Sequence, residues 1–251
     1  QAEDQRARRT GAAPPARAWH RRPILASRDA RKLQELGSDL GLPWAAVALA
    51  DRAGLDRVLS DVAVVLNAAG PYKNTAEPMV KACLRNGTHY LDISGEFETF
   101  RRIDNFHEEA TYRNVMIMPG VGFTVVTSDF LIKLLSRYFK QRELVIDQLR
   151  VALSSVEFMS RGTIGSMLES TREGVSVRRR GVLSSVAVGQ LDRTFTFGTG
   201  ADARSAVCVG IRLPDLITAP YTSGDGTRPE SGAPNIETYG EADTVKRFYY
   251  E

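Results

Sequence analysis

Small residues and glycines gather where apolar runs of this chain end. The segments are Ser27-Arg28-Asp29, Asp51, Asn67-Ala68-Ala69-Gly70-Pro71-Tyr72, Ser94-Gly95-Glu96 and Pro119-Gly120-Val121-Gly122. In an open α/β sheet, ligands bind outside the carboxyl ends of the strands. Small residues there let the backbone approach a planar or phosphorylated ligand. The segment from Asn67 to Pro71 fits that use, and a tight strand-to-helix turn that needs small residues explains it equally well.

Arg28 follows the first visible strand of the chain. Dinucleotide folds place an acid near this point for a ribose hydroxyl, or an arginine for a 2′-phosphate. A planar guanidinium binds phosphate through two parallel hydrogen bonds. The acid that follows, Asp29, is better suited to cap the next helix. This pattern favours NADP(H) over NAD(H), and the alternative is a solvated surface arginine.

Two carboxylates are the candidates for acid–base or substrate-orienting roles. Asp92 lies inside the apolar strand from His89 to Ile93, and Glu96 follows at its end. Either could serve such a role, and a structural carboxylate that caps the next helix explains them equally well. The three histidines are scattered without ligand spacing, so we expect no metal site. Residues 198–203 match a Gly-x-Gly-x-x-Ala fingerprint, but a strand pattern follows them, which predicts a hairpin turn.

Alternating strand and helix patterns begin at Pro23. The predicted strands are 23–27, 45–49, 62–66, 89–93 and 115–118, and the predicted helices are 29–40, 51–59, 75–85, 98–113 and 128–139. Asp29 and Asp51 are predicted N-caps, and Gly41 and Asn86-Gly87 are predicted helix ends. This alternation predicts an α/β fold, a Rossmann-like doubly wound parallel sheet, over residues 23–140.

The rhythm changes after residue 140. Residues 144–158 are rich in β-formers, and residues 161–172 look helical. Three strands without intervening helices are predicted at 182–188, 193–197 and 206–209, followed by a flexible loop over 221–234. We therefore expect an α+β second domain with an antiparallel sheet over residues 141–251, used for substrate binding or dimerisation.

Composition excludes several classes of protein. The net charge of +3 does not favour a nucleic-acid partner. Cys83 and Cys208 are too few for a disulfide scaffold or a four-cysteine zinc site. No apolar run approaches the roughly 18 residues of a membrane helix. These features favour a reduced, cytoplasmic protein.

Residues 1–22 differ from the remainder in composition. They are rich in Ala, Arg and Pro, with Trp19 as their single large apolar residue. We expect a disordered or aberrant leader, because such a segment cannot bury enough surface to order itself. A basic arm that binds nucleic acid is the less favoured interpretation.

The stretch from Val64 to Asp129 resembles the saccharopine dehydrogenase-like oxidoreductases, and within them the bacterial branch that includes trans-acting enoyl reductases. The segments that carry the resemblance are VVLNAAGPY (64–72), GTHYLDISGE (87–96), HEEA (107–110) and PGVGF (119–123). Residues 23–29 look like the family's second strand with its cofactor arginine, and residues 234–239 resemble part of its second domain.

The resemblance implies an NADP(H)-dependent oxidoreductase that reduces a lipid-related enoyl or carbonyl substrate. It places Ser27 and Arg28 at the 2′-phosphate and Asp51 near the adenine. Asn67, Ala68, Ala69, Gly70, Pro71 and Tyr72 would line the cofactor, and Ser94 and Gly95 would face the nicotinamide or substrate. No acid–base pair transfers from the family, so Asp92 and Glu96 remain the catalytic candidates.

The chain departs from the family at its start. The family opens with a strand and a glycine-rich turn that receives the pyrophosphate, whereas residues 1–22 contain Gly11 as their single glycine and no strand pattern. We expect a truncated or frame-shifted start, and a second domain that is clipped at its end. Two other hypotheses stay open: a non-catalytic binding or scaffold protein, and a lipid- or membrane-associated protein. A homodimer and peripheral lipid contact are compatible with each.

Overall fold

The fold is taken from a computed structural model that describes residues 22–154, 174–187 and 189–243. The leader predicted for residues 1–22, except Arg22, and the helix predicted for 161–172 lie outside these ranges. Within them, strands and helices alternate up to Lys140. In chain order the elements are β1 (Leu25–Ser27), α1 (Ala30–Leu40), β2 (Trp44–Ala46), α2 (Arg52–Leu59), β3 (Val64–Asn67), α3 (Tyr72–Asn86), β4 (His89–Asp92), α4 (Phe97–Asp104), α5 (His107–Tyr112), β5 (Ile117–Met118) and α6 (Phe123–Lys140).

The parallel strands form two separate ladders. β1 pairs with β2, and β3 pairs with β4, which in turn pairs with β5; every pairing is parallel. No strand in the described residues joins β1 to β3. The predicted parallel α/β architecture is confirmed, with its parallel strands in two ladders.

Local signals explain the helix boundaries of this part. The Asp29 carboxylate accepts the N–H of Lys32 at 3.1 Å, and the Asp51 carboxylate accepts the N–H of Gly54 at 2.9 Å. Both predicted N-caps are therefore confirmed. Gly41 and Gly87 end α1 and α3 with φ of 64° and 68°, a left-handed conformation that glycine adopts without strain.

The remaining elements form an antiparallel-rich sheet with one helix. They are β6 (Gln148–Leu153), β7 (Val175–Arg179), β8 (Val182–Val186), β9 (Asp192–Phe197), β10 (Arg204–Gly210), α7 (Asp215–Ser223) and β11 (Asn235–Glu241). The strand order is β8-β7-β11-β10-β9, and β6 runs parallel to β11. The predicted hairpin at 198–203 is confirmed, because β9 and β10 pair antiparallel on either side of it.

Two clusters of buried apolar residues hold the molecule together. The first, with Val80, Cys83 and Tyr90, packs α2, α3 and α5 against β3 to β5. The second joins Phe97 of α4 and Ile132 of α6 to α7, β6 and β11. The parallel and antiparallel parts therefore share a core.

Two local predictions were wrong, and one strand was not predicted. Residues 98–113 form two helices, because the chain turns before His107 and Phe106 packs against the first core cluster. The loop predicted over 221–234 begins later, because α7 continues to Ser223. The antiparallel strand β7 had no prediction, although Val175 and Val177 are buried in it.

Candidate functional site

The loop after β3 presents small residues to solvent on a fixed base. Ala68, Ala69, Gly70 and Pro71 are exposed, whereas Asn67 is buried. The Asn67 side chain accepts the N–H of Ala69 at 3.1 Å and donates to the hydroxyl of Tyr90 at 3.2 Å. The loop therefore combines an accessible backbone with an anchored first residue.

Asp92 is buried and holds the ends of β4 and β5 together. One carboxylate oxygen accepts the Tyr90 hydroxyl at 2.7 Å, and the other accepts the N–H groups of Ser94 and Gly120, each at 2.8 Å. Burial raises the pKa of Tyr90, and the charge of Asp92 adds to that effect. Asp92 is fully shielded from solvent, so its position suits a role in holding the loops rather than direct contact with a ligand.

Glu96 closes the N-terminus of α3 from a different loop. Its two oxygens accept the N–H groups of Tyr72 at 3.0 Å and Lys73 at 2.8 Å, and the hydroxyl of Thr99 donates to it at 2.9 Å. A carboxylate is stabilised at a helix N-terminus because the first N–H groups lack partners within the helix. Glu96 thereby fixes Tyr72 at the end of the exposed loop.

The residues predicted for the adenosine end lie on the other ladder. Ser27, Arg28 and Asp51 are exposed where β1 and β2 end. The Ser27 carbonyl accepts the N–H of Val47, which brings these two loops together. Arg28 has no ion pair or side-chain hydrogen bond within the described part of the chain, so its guanidinium is free to bind an anion.

Ser94 and Gly95 lie at the end of β4. Ser94 is 1% exposed, and its hydroxyl has no hydrogen-bond partner among the described residues. Gly95 is exposed, and a Cβ at its position would lie 3.5 Å from the hydroxyl of Thr124 at the start of α6. The structure therefore assembles Asn67–Tyr72, Ser94–Glu96 and Asp92 into one network and keeps Arg28 with Asp51 in a second group.

Sequence reasoning missed Tyr90 and the contact of Gly120 with Asp92. Tyr90 alternates with Asp92 on the same side of a strand, a pattern that could have indicated a shared environment. Gly120 has φ of 72°, and a Cβ there would meet the Phe100 ring at 2.5 Å, so glycine is required. Its contact with Asp92 spans 28 residues, which no local pattern reveals.

Residues 16–118 match the family model of the saccharopine dehydrogenase NADP binding domain. The resemblance to saccharopine dehydrogenase-like proteins is confirmed. A human saccharopine dehydrogenase-like oxidoreductase is 38% identical over 82 residues, 32% of this chain and 19% of that protein. The trans-acting enoyl reductase of Mycobacterium ulcerans is 28% identical over 161 residues, 61% of this chain and 38% of that protein.

The fold of this chain also matches a solved structure. The apo saccharopine dehydrogenase (L-Glu forming) of Saccharomyces cerevisiae superposes with a TM-score of 0.60 at 16% identity, over 90% of this chain and 51% of that one. This likeness supports the fold. The chain thus spans about half the length of that protein, and the matches cover less than two fifths of the two curated relatives described above.

NADP(H) is the cofactor that the matched domain indicates, in agreement with the prediction. The residues present fit both ends of NADP(H). Arg28 is exposed and has no partner among the described residues, and residues 68–71 offer an exposed backbone of small residues. The N-termini of α1, α2 and α3 instead receive the carboxylates of Asp29, Asp51 and Glu96. Carboxylates therefore already occupy part of the N-terminal N–H groups of these three helices.

Other site classes have no support in the described ranges. There, no group of three or more His, Cys, Asp or Glu side chains could hold a metal ion. The helices found in the same ranges are too short or too polar to cross a membrane.

Proposed function

We propose that this chain is part of an NADP(H)-dependent oxidoreductase that reduces a lipid-related enoyl or carbonyl substrate. The main support is the match of residues 16–118 to an NADP binding domain. The two mycobacterial relatives named trans-acting enoyl reductase align over 58–61% of this chain, which favours an enoyl substrate. The proposal assigns residues 23–140 to the cofactor and residues 141–251 to the substrate or to a dimer contact, in the cytoplasm.

The roles of this chain's residues follow from their surroundings. When bound, NADPH would supply the hydride. Arg28 would bind the 2′-phosphate, and Ser27 and Asp51 would lie beside the adenosine. The backbone from Ala68 to Tyr72 would line the cofactor, with Glu96 fixing the end of this loop through the N–H groups of Tyr72 and Lys73.

Ser94 and Gly95 would adjoin the nicotinamide or the substrate. Asp92 would act through Ser94 and Gly120, whose N–H groups it binds. It is a positioning residue in this scheme, because it is fully buried.

Fluorescence titration with NADPH and NADH tests the cofactor assignment. We expect NADPH to bind more tightly, and Arg28→Ala to weaken NADPH binding at least tenfold while NADH binding stays unchanged. Arg31→Ala, an exposed arginine on the adjoining helix, is the matched control and should bind like the unchanged chain. Equal affinity of Arg28→Ala for NADPH would contradict the role of Arg28, and no binding by a folded chain would contradict the oxidoreductase proposal.

Two observations favour other functions. The capped N-termini of α1 to α3 favour a binding or scaffold protein without catalysis. Exposed apolar side chains on α6, with Phe123 at 80% and Phe130 at 75% exposed, favour contact with a lipid surface or a second copy of the chain. Co-sedimentation with phosphatidylglycerol vesicles, compared with Phe130→Ser, separates lipid contact from the other two functions.

A further inference from the structure

A cavity of about 670 Å³ lies along the edge of β5 that no described strand covers. Its floor is formed by residues 115–119. One wall comes from α4 and α5, and the opposite wall comes from α6 and α7. None of the residues predicted to bind the cofactor lines it, so this cavity is a feature separate from the proposed cofactor site.

The lining is mainly apolar and large enough for a small organic molecule. Phe100, Ile103 and Ile117 lie on the side of the parallel part, and Ile217 faces them from α7. Cavities of several hundred Å³ that combine apolar walls with a few convergent polar groups are the usual form of small-molecule sites. The volume and lining therefore fit a ligand with a sizeable apolar group.

The polar groups give the cavity a negative character. Asp104 lines it from α4 and Asp129 from α6, and the described lining residues include no lysine or arginine. Asp129 uses one oxygen to accept the hydroxyls of Thr218 at 3.0 Å and Thr222 at 3.2 Å. These hydrogen bonds hold the carboxylate in place without neutralising it.

A third carboxyl group, that of Asp215, lies close to Asp129 but does not line the cavity. Asp215 is 3% exposed, and one of its oxygens has no hydrogen-bond partner in the described part of the chain. Burial raises the pKa of Asp215, and the negative charge of nearby Asp129 raises it further. Lys133, one turn after Asp129, donates to the Thr222 carbonyl at 3.4 Å. No described ion pair includes Asp129 or Asp215. Asp104 and Asp129 therefore place one carboxyl group on each wall of the cavity, and Arg178, which donates to the Leu216 carbonyl of α7 at 3.1 Å, lies outside the described lining.

We propose that this cavity binds an organic cation, a primary or secondary ammonium ion that carries an alkyl or aryl group. The ammonium group would lie against the carboxylates of Asp104 and Asp129, since a carboxylate forms its strongest hydrogen bonds with a charged donor. The rings of Phe100 and Tyr221 also favour a cation, which their faces attract. The apolar group would lie over β5. His89 and His107 also line the cavity.

Fluorescence titration of the full chain with monodansylcadaverine tests the proposal at pH 7.5. This probe joins an aromatic group to a primary ammonium through an alkyl linker, and its N-acetyl derivative has the same shape without the charge. We expect the charged probe to bind at least tenfold more tightly than the acetylated one. Equal binding of the two probes would overturn the proposal, because the cavity would then select only for apolar character.

Variants locate the binding. We expect Asp104→Asn combined with Asp129→Asn to weaken binding of the charged probe at least tenfold, with Asp61→Asn, an exposed residue outside the cavity, as the matched control. Asparagine at 129 keeps an oxygen for Thr218 and Thr222. If the double variant fails to fold, Asp104→Asn alone is tested, because Asp104 is exposed and its replacement should not disturb folding. We expect this single variant to weaken binding of the charged probe severalfold. Unchanged affinity in the folded variants would overturn the proposal.

Discussion

Asp92 and Asp215 are both buried carboxyl groups, and their surroundings differ in the number of donors. Asp92 receives one hydroxyl and two backbone N–H groups at 2.7–2.8 Å. Asp215 keeps one oxygen without a partner in the described residues, and burial raises its pKa to about 6. Burial alone therefore does not determine whether a carboxylate stabilises the fold. The donors around it decide, because a buried charge is tolerated only when it is hydrogen-bonded.

The largest effect is expected at Asp92. Asp92→Ala leaves the Tyr90 hydroxyl and the N–H groups of Ser94 and Gly120 without their acceptor, which should lower the free energy of unfolding by about 3–5 kcal/mol. Urea denaturation monitored by circular dichroism measures it. Asp92→Asn keeps one acceptor oxygen and should lose less. A loss below about 1 kcal/mol in the alanine variant would show that these donors find other partners.

Replacing Asp215 should raise the free energy of unfolding at neutral pH, whereas replacing Asp92 lowers it. Its folded-state pKa of about 6 lies above the ordinary pKa of an aspartate side chain, so the unfolded chain releases this proton first as pH rises. The free energy of unfolding is therefore highest below about pH 4. It falls by about 3 kcal/mol as pH rises from about 4 to about 6. Asp215→Asn should remove this dependence.

Urea denaturation of both chains at pH 4 and pH 7 measures the difference. We expect the difference in free energy of unfolding between Asp215→Asn and the unchanged chain to be more favourable to the variant at pH 7 than at pH 4. An identical pH dependence in the two chains would mean that Asp215 is ionised normally in the folded state.

Glu96 should give the smallest of the three effects. Glu96→Ala removes the acceptor for the N–H groups of Tyr72 and Lys73 at the start of α3, and helix caps contribute about 1–2 kcal/mol. Thermal melting of the variant and of Glu96→Gln, which keeps one acceptor oxygen, measures the loss. A variant as stable as the unchanged chain would indicate that water replaces the carboxylate.

The sequence predicts those features that depend on neighbouring residues. Asp29 and Asp51 cap helices through N–H groups three residues away, and Gly41 and Gly87 end helices by their own conformation. These signals lie within one helical turn, so spacing alone reveals them.

Contacts between distant segments are beyond such reasoning. Glu96 reaches back over 23–24 residues to cap α3, and Asp92 reaches over 28 residues to Gly120. Sequence reasoning therefore located Asp92 and Glu96 as candidates, and left their use open between chemistry and structure. The cavity beside β5 was not predicted, because its walls come from segments about 100 residues apart.

The separation of the two parallel ladders has a consequence for hydrogen exchange. β1 and β2 contribute three residues each to their pairing, and in α1 the buried positions are Leu33 and Gly37. So small an apolar contact favours local opening of the unit formed by β1, α1 and β2 without unfolding of β3 to β5. Amide protons of β1 and α1 should then exchange faster than those of β4. Because Arg28 lies on this unit, the affinity of a phosphate group for Arg28 includes the free energy of closing the unit. A bound phosphate group should therefore slow amide exchange in β1, α1 and β2 before it does so elsewhere.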